Sequence, residues 1–151
     1  MSEDTKSVTS PAGKELVDLL RGELAAVETY DQALDAWVGD PDTTSRLRRI
    51  RADHMEAVAE LRAFVREAGG DDEATSGVWG AVAAAVEGTA RLLGDAAALR
   101  ALREGEQLGL RQYEDFRAAA GKNAEWAEFG DRQRDLVVQH VTVLEQLLGS
   151  A

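Results

Sequence analysis

The residues able to do chemistry recur in two matched sets. The only histidines are His54 and His140, and the only tyrosines are Tyr30 and Tyr113. Each tyrosine stands seven residues after a glutamate, Glu23 before Tyr30 and Glu106 before Tyr113. The surrounding segments RGELAAVETYDQ (21–32) and EGEQLGLRQYED (104–115) align, as do IRADHMEAVAEL (50–61) and LVVQHVTVLEQL (136–147). Two carboxylates, two imidazoles and two phenols in repeated register suit either a divalent cation held by oxygen and nitrogen donors or a buried acid–base network.

Helical spacing places these groups inside. Marked off at 100° per residue, Glu23 lies in a stripe with Leu16, Leu20, Val27, Leu34 and Trp37, whereas Glu28 points away from it. Glu106 falls among Leu99, Leu102, Leu110 and Tyr113; His54 among Leu47, Ile50, Val58 and Leu61; His140 among Leu136, Val143, Leu144 and Leu147. A carboxylate at a core position is costly unless something is bonded or bound to it. The spacing therefore predicts that all four meet in the interior.

The elements that must carry them are helices. Pro11 and Pro41 each follow a capping residue, Ser10 and Asp40, and mark two helix starts. The first helix is expected over residues 11–38, stopped by Gly39, and the second over 41–68, stopped by Gly69 and Gly70. An Ala-rich segment, VWGAVAAAVEGTARLL, follows and reads as a shorter crossover helix. Gly94 and Asp95 open a third long helix to about Ala120, and Asn123 caps a fourth that runs to Leu148. No segment alternates with a period of two, so no strand is expected. Short links make helices one and two, and three and four, antiparallel neighbours, while the long link between two and three allows a crossover. In each hairpin the Glu and the His lie roughly 15 residues from the turn, so all four fall at one height in the bundle. The expected fold is all-α: a flexible tail over residues 1–10 and one four-helix-bundle domain over 11–149.

Composition excludes several functions. With 28 acidic against 17 basic residues the net charge is −11, which a nucleic-acid backbone or an anionic membrane surface would repel. The absence of cysteine removes disulfides, thiolate metal sites and a cysteine nucleophile. No segment has the length and apolarity of a membrane span, and the N-terminus has no apolar signal-like region, so a cytoplasmic location is expected. Trp37, Trp79 and Trp126 lie near helix ends and read as lids on the core.

The paired Glu-x6-Tyr segments and the two His-bearing helices resemble the ferritin and rubrerythrin superfamily, closest to a bacterial branch of ferritin-like domains, over residues 12–148. That resemblance implies a four-helix bundle in which Glu23, His54, Glu106 and His140 correspond to metal ligands and Tyr30 and Tyr113 to their hydrogen-bond partners. It also implies bridging glutamates three residues before each histidine. Arg51 and Val137 stand there instead, which speaks against a dinuclear centre and ferroxidase activity.

Arg51 lies on the inner edge of the His54 stripe and leaves two readings open. Turned inward, its guanidinium would neutralise Glu23 and Glu106, giving a metal-free accessory or stress-associated binding protein. Turned outward, it would leave two buried carboxylates to a divalent ion, Fe, Mn or Zn, in a protein of metal or oxidative stress. A homo-oligomer is compatible with either reading, and neither defines a protein partner.

Overall fold

The computed structural model of the protein describes residues 7–73 and 93–150. Four long helices account for most of them: α1 (Pro11–Ala36), α2 (Pro41–Glu67), α3 (Asp95–Ala120) and α4 (Ala124–Gly149). Among the described residues there is no strand, and the fold is an all-α four-helix bundle. The expected crossover helix and Trp79 lie outside the described residues. No described helix is long and apolar enough to cross a membrane.

The helix starts follow from side chains that satisfy backbone N–H groups otherwise left without partners. The Ser10 hydroxyl accepts from Gly13 N at 3.0 Å, Asp40 from Thr43 N at 2.9 Å and Asn123 from Trp126 N at 3.2 Å. Gly94 precedes α3 without a side-chain cap and at φ 87°, a conformation that glycine tolerates and other residues avoid. Of the first ten residues, 7–10 are described, and Val8 N–H donates to Ala68 O at the end of α2. α1 ends two residues earlier than its periodicity suggests, because Trp37 turns extended and folds its indole over Gly39. A Cβ at Gly39 would stand 2.3 Å from Trp37 Nε1, so a side chain there would displace the indole.

Contacts along the bundle fix the helix directions. Tyr30 meets Glu106 while Glu23 meets Tyr113, so α1 and α3 run antiparallel. Asp53 meets His140 while Glu60 meets Arg132, so α2 and α4 do likewise. With α1–α2 and α3–α4 as hairpins, α2 and α3 run in the same direction. The end of α2 and the start of α3 therefore lie at opposite ends of the bundle.

The interior has three layers. At one end Leu16, Leu20, Leu61, Phe116 and Phe129 pack together with Trp126, which fits its expected role as a lid. At the other, Ala33, Leu47, Ile50, Leu99, Leu102 and Leu144 do the same. The stripe on α1 is rotated from its expected position: Val27 and Leu34 are half-buried, whereas Ala25 and Ala33 are buried. Small side chains let α1 approach its neighbours closely, and the larger aliphatics move to the flank. Between the two apolar layers lies a polar one, containing Glu23, His54, Glu106 and His140.

Candidate functional site

All four predicted residues point inward, each 4–6% exposed, and each comes from a different helix. His54 is at the centre. Its Nδ1 lies 2.5 Å from Glu23 Oε2 and its Nε2 lies 2.7 Å from Glu106 Oε1. His140 approaches Glu106 from the other side, with Nδ1 3.3 Å from Oε2. The two imidazole rings are 5.1 Å apart.

The tyrosines also reach the site, each on the opposite helix's glutamate. Tyr30 donates to Glu106 and Tyr113 to Glu23, both at 2.7 Å. A residue seven positions away on the same helix lies about 10 Å along the axis, too far for a phenol to return to its own glutamate. The antiparallel α1–α3 pair brings each tyrosine level with its partner.

These contacts set the protonation states. Burial alone would lower the His54 pKa, but the charges of Glu106 and Glu23 and their hydrogen bonds outweigh it and hold the pKa well above 6.5. His54 is therefore an imidazolium that donates both N–H groups. Burial would raise the Glu106 pKa, yet the charge of His54 and the hydrogen bonds of both histidines hold it well below the usual carboxylate range. Burial and the neighbouring carboxylates push both phenols well above 10.0, so the tyrosines remain donors.

The two shifts act on stability at opposite ends of the pH scale. The raised His54 pKa gives stability that is fully present below about pH 6.5 and is lost as pH rises through the folded value. The lowered Glu106 pKa gives stability present above about pH 4.5 and lost as pH falls through its folded value. Thermal denaturation of the metal-free chain should therefore show its highest melting temperature between these limits, with a decline on the alkaline side. That alkaline decline should be absent in His54→Gln.

Arg51 does not join the cluster. Its guanidinium pairs with Asp31 on α1 and reaches Met55 Sδ at 3.0 Å, and its side chain is 31% exposed. Of the two orientations the sequence left open, the fork lies away from Glu23 and Glu106, and His54 supplies the positive charge between them. Val137, three residues before His140, is buried and apolar. Neither position can supply a bridging carboxylate.

Sequence reasoning did not find Asp53. Its Oδ2 accepts from His140 Nε2 at 2.8 Å, and its side chain is 30% exposed at the edge of the site. The only available signal was an acid next to a core histidine. One imidazole nitrogen on His54 and one on His140, together with a Glu106 oxygen, lie within 4.8 Å of one another, a spacing that could hold a metal ion.

The fold and site thus define an all-α four-helix bundle with a buried carboxylate–imidazole–phenol layer to which all four helices contribute. Residues 11–119 match the family described as Domain of unknown function (DUF2383), and the chain belongs to that family. The match spans α1, α2 and nearly all of α3, and includes Glu23, His54 and Glu106. No curated protein and no solved structure matches the chain.

Proposed function

We propose that this is a ferritin-like protein that holds one divalent transition-metal ion at mid-bundle and acts in metal or oxidative stress. The observation that carries the reading is the donor set: His54, Glu106 and His140 offer ligand atoms within 4.8 Å of one another in a buried layer. Two imidazoles and a carboxylate suit Fe, Mn or Zn, and the missing bridges favour one ion over two. The nitrogens facing away from Glu106 both rest on carboxylates, His54 Nδ1 on Glu23 and His140 Nε2 on Asp53. Such outer partners fix ring orientation and tautomer, and here they leave His54 Nε2 and His140 Nδ1 for the cation. An ion at such donors supplies Lewis acidity or, as Fe or Mn, one-electron chemistry.

His54 must give up its Nε2 proton to serve as a ligand, so binding is coupled to proton release. Calorimetric titration of Zn(II), Mn(II) and Fe(II) into chelator-treated protein tests the reading. Affinity should rise about tenfold per pH unit while His54 is protonated in the free chain. Asp53→Asn, which weakens the hold on His140, should lower affinity by about tenfold. Absence of binding by all three ions would end this reading.

A second reading has its own support. The protonated His54 already closes the gap between Glu23 and Glu106, so the network is complete without a cation. On that reading the bundle is a metal-free accessory binding protein, and the same titration distinguishes the two.

A further inference from the structure

A crevice between α1 and α3 leads to the buried layer, and its composition defines a ligand. Its inner surface includes Glu23, Glu106, His54, Tyr30 and Tyr113, with apolar walls from Leu19, Leu102 and Val137. Gly22, Gly105 and Gly109 line its outer part, where Gly105 is exposed. A Cβ at Gly105 or Gly109 would meet no atom within 4 Å, so close helix packing does not require glycine there. Glycine inside a helix is destabilising relative to alanine. What these two glycines provide is open space above the carboxylates.

Hydrogen bonding at the inner end determines what the space can accept. The phenols of Tyr30 and Tyr113 and both N–H groups of His54 are spent on carboxylates. Glu23 takes one hydrogen bond on each oxygen, Tyr113 on Oε1 and His54 on Oε2, and a carboxylate has about four acceptor positions. The Thr29 hydroxyl donates to Ala25 O, and the one side-chain amide of the lining, Gln112, stands beside Gly22 at the outer part, so the inner end can accept further hydrogen bonds but has no donor left to offer. The volume is about 80 Å³. An apolar cavity of about 150 Å³ takes a benzene, so this one takes about three or four heavy atoms.

We propose that the α1–α3 crevice binds a short aliphatic molecule with a terminal hydrogen-bond donor, the donor directed at Glu23 and the carbon chain against the apolar walls. A carboxylate-ended molecule of the same length is excluded, because it would bring acceptor to acceptor and negative charge to negative charge. The site rests on the crevice and its hydrogen bonds, and so holds for the metal-free chain.

The test is NMR titration of chelator-treated protein with n-propanol, n-propylammonium and propionate, following the backbone amides of Gly22, Gly105 and Gly109. The expected result is saturable shifts with one or both donor-ended probes and none with propionate. The neutral and cationic probes then show whether a charge on the donor is needed. Gly105→Leu and Gly109→Leu, which fill the space, should weaken binding at least tenfold while leaving divalent-ion affinity at the wild-type level. Equal response to propionate, no saturable shift with any probe, or wild-type binding by both leucine variants would overturn the proposal. Retained ion binding in that event would leave the metal reading standing.

Discussion

Glu106→Gln should destabilise the chain by about 3 kcal/mol, the low end for breaking a buried charge pair. Glu106 is the residue on which the layer converges: Tyr30 and His54 share its Oε1, and His140 approaches its Oε2. An amide keeps the shape but offers one acceptor oxygen where the carboxylate offers two. It also removes one of the two negative charges that hold the His54 imidazolium. For a chain of this size the melting temperature should fall by roughly 10 °C. Divalent-ion affinity should fall by more than about 100-fold, beyond the range expected for loss of an outer partner. A variant that melts and binds like wild type would show that Glu106 does not organise the layer.

Phe116→Ala should be about as damaging to stability, by about 4 kcal/mol, and harmless to the site. Phe116 is fully buried in the far apolar layer, with ring centroids 6.2 Å from Trp126 and 6.5 Å from Phe129. α4 lies so close that a Cβ at Gly130 would stand 3.3 Å from the ring, so the helices cannot collapse into the space without moving Phe129 and Trp126. Phe116 shares its apolar cluster with Tyr113 at the edge of the site, whereas the candidate ligands His54, Glu106 and His140 lie in the polar layer, so ion affinity should stay within about twofold of wild type. Chemical denaturation and calorimetric titration of the same sample separate the two effects. A large loss of affinity in Phe116→Ala would mean that the layers are coupled.

Much of the fold could be read from punctuation. Pro11 and Pro41 begin α1 and α2, Asn123 caps α4, and the repeated segments show that the halves correspond. The α1 stripe was harder to place, since alanine carries little weight in a periodicity argument, yet Ala33 is fully buried where Leu34 is not. The four central residues stood out because a carboxylate or imidazole in an apolar stripe is anomalous. The pairing of Tyr30 with Glu106 depends on the directions of α1 and α3, which periodicity leaves open. Arg51 was ambiguous because a long side chain at the edge of a stripe can turn either way, and Asp31 on the neighbouring helix settles it. Asp53 lies about 100° from His54 around α2, and only the packing of α4 brings His140 to it.

The metal-to-chain ratio of protein purified without chelator bears most directly on the proposal of a mid-bundle ion. Elemental analysis should give one Fe, Mn or Zn per chain in wild type, and a ratio near zero in His54→Ala and His140→Ala samples that remain helical by circular dichroism. Wild-type protein free of these metals, and still free after incubation with each ion and desalting, would contradict the proposal and favour a network closed by His54 alone.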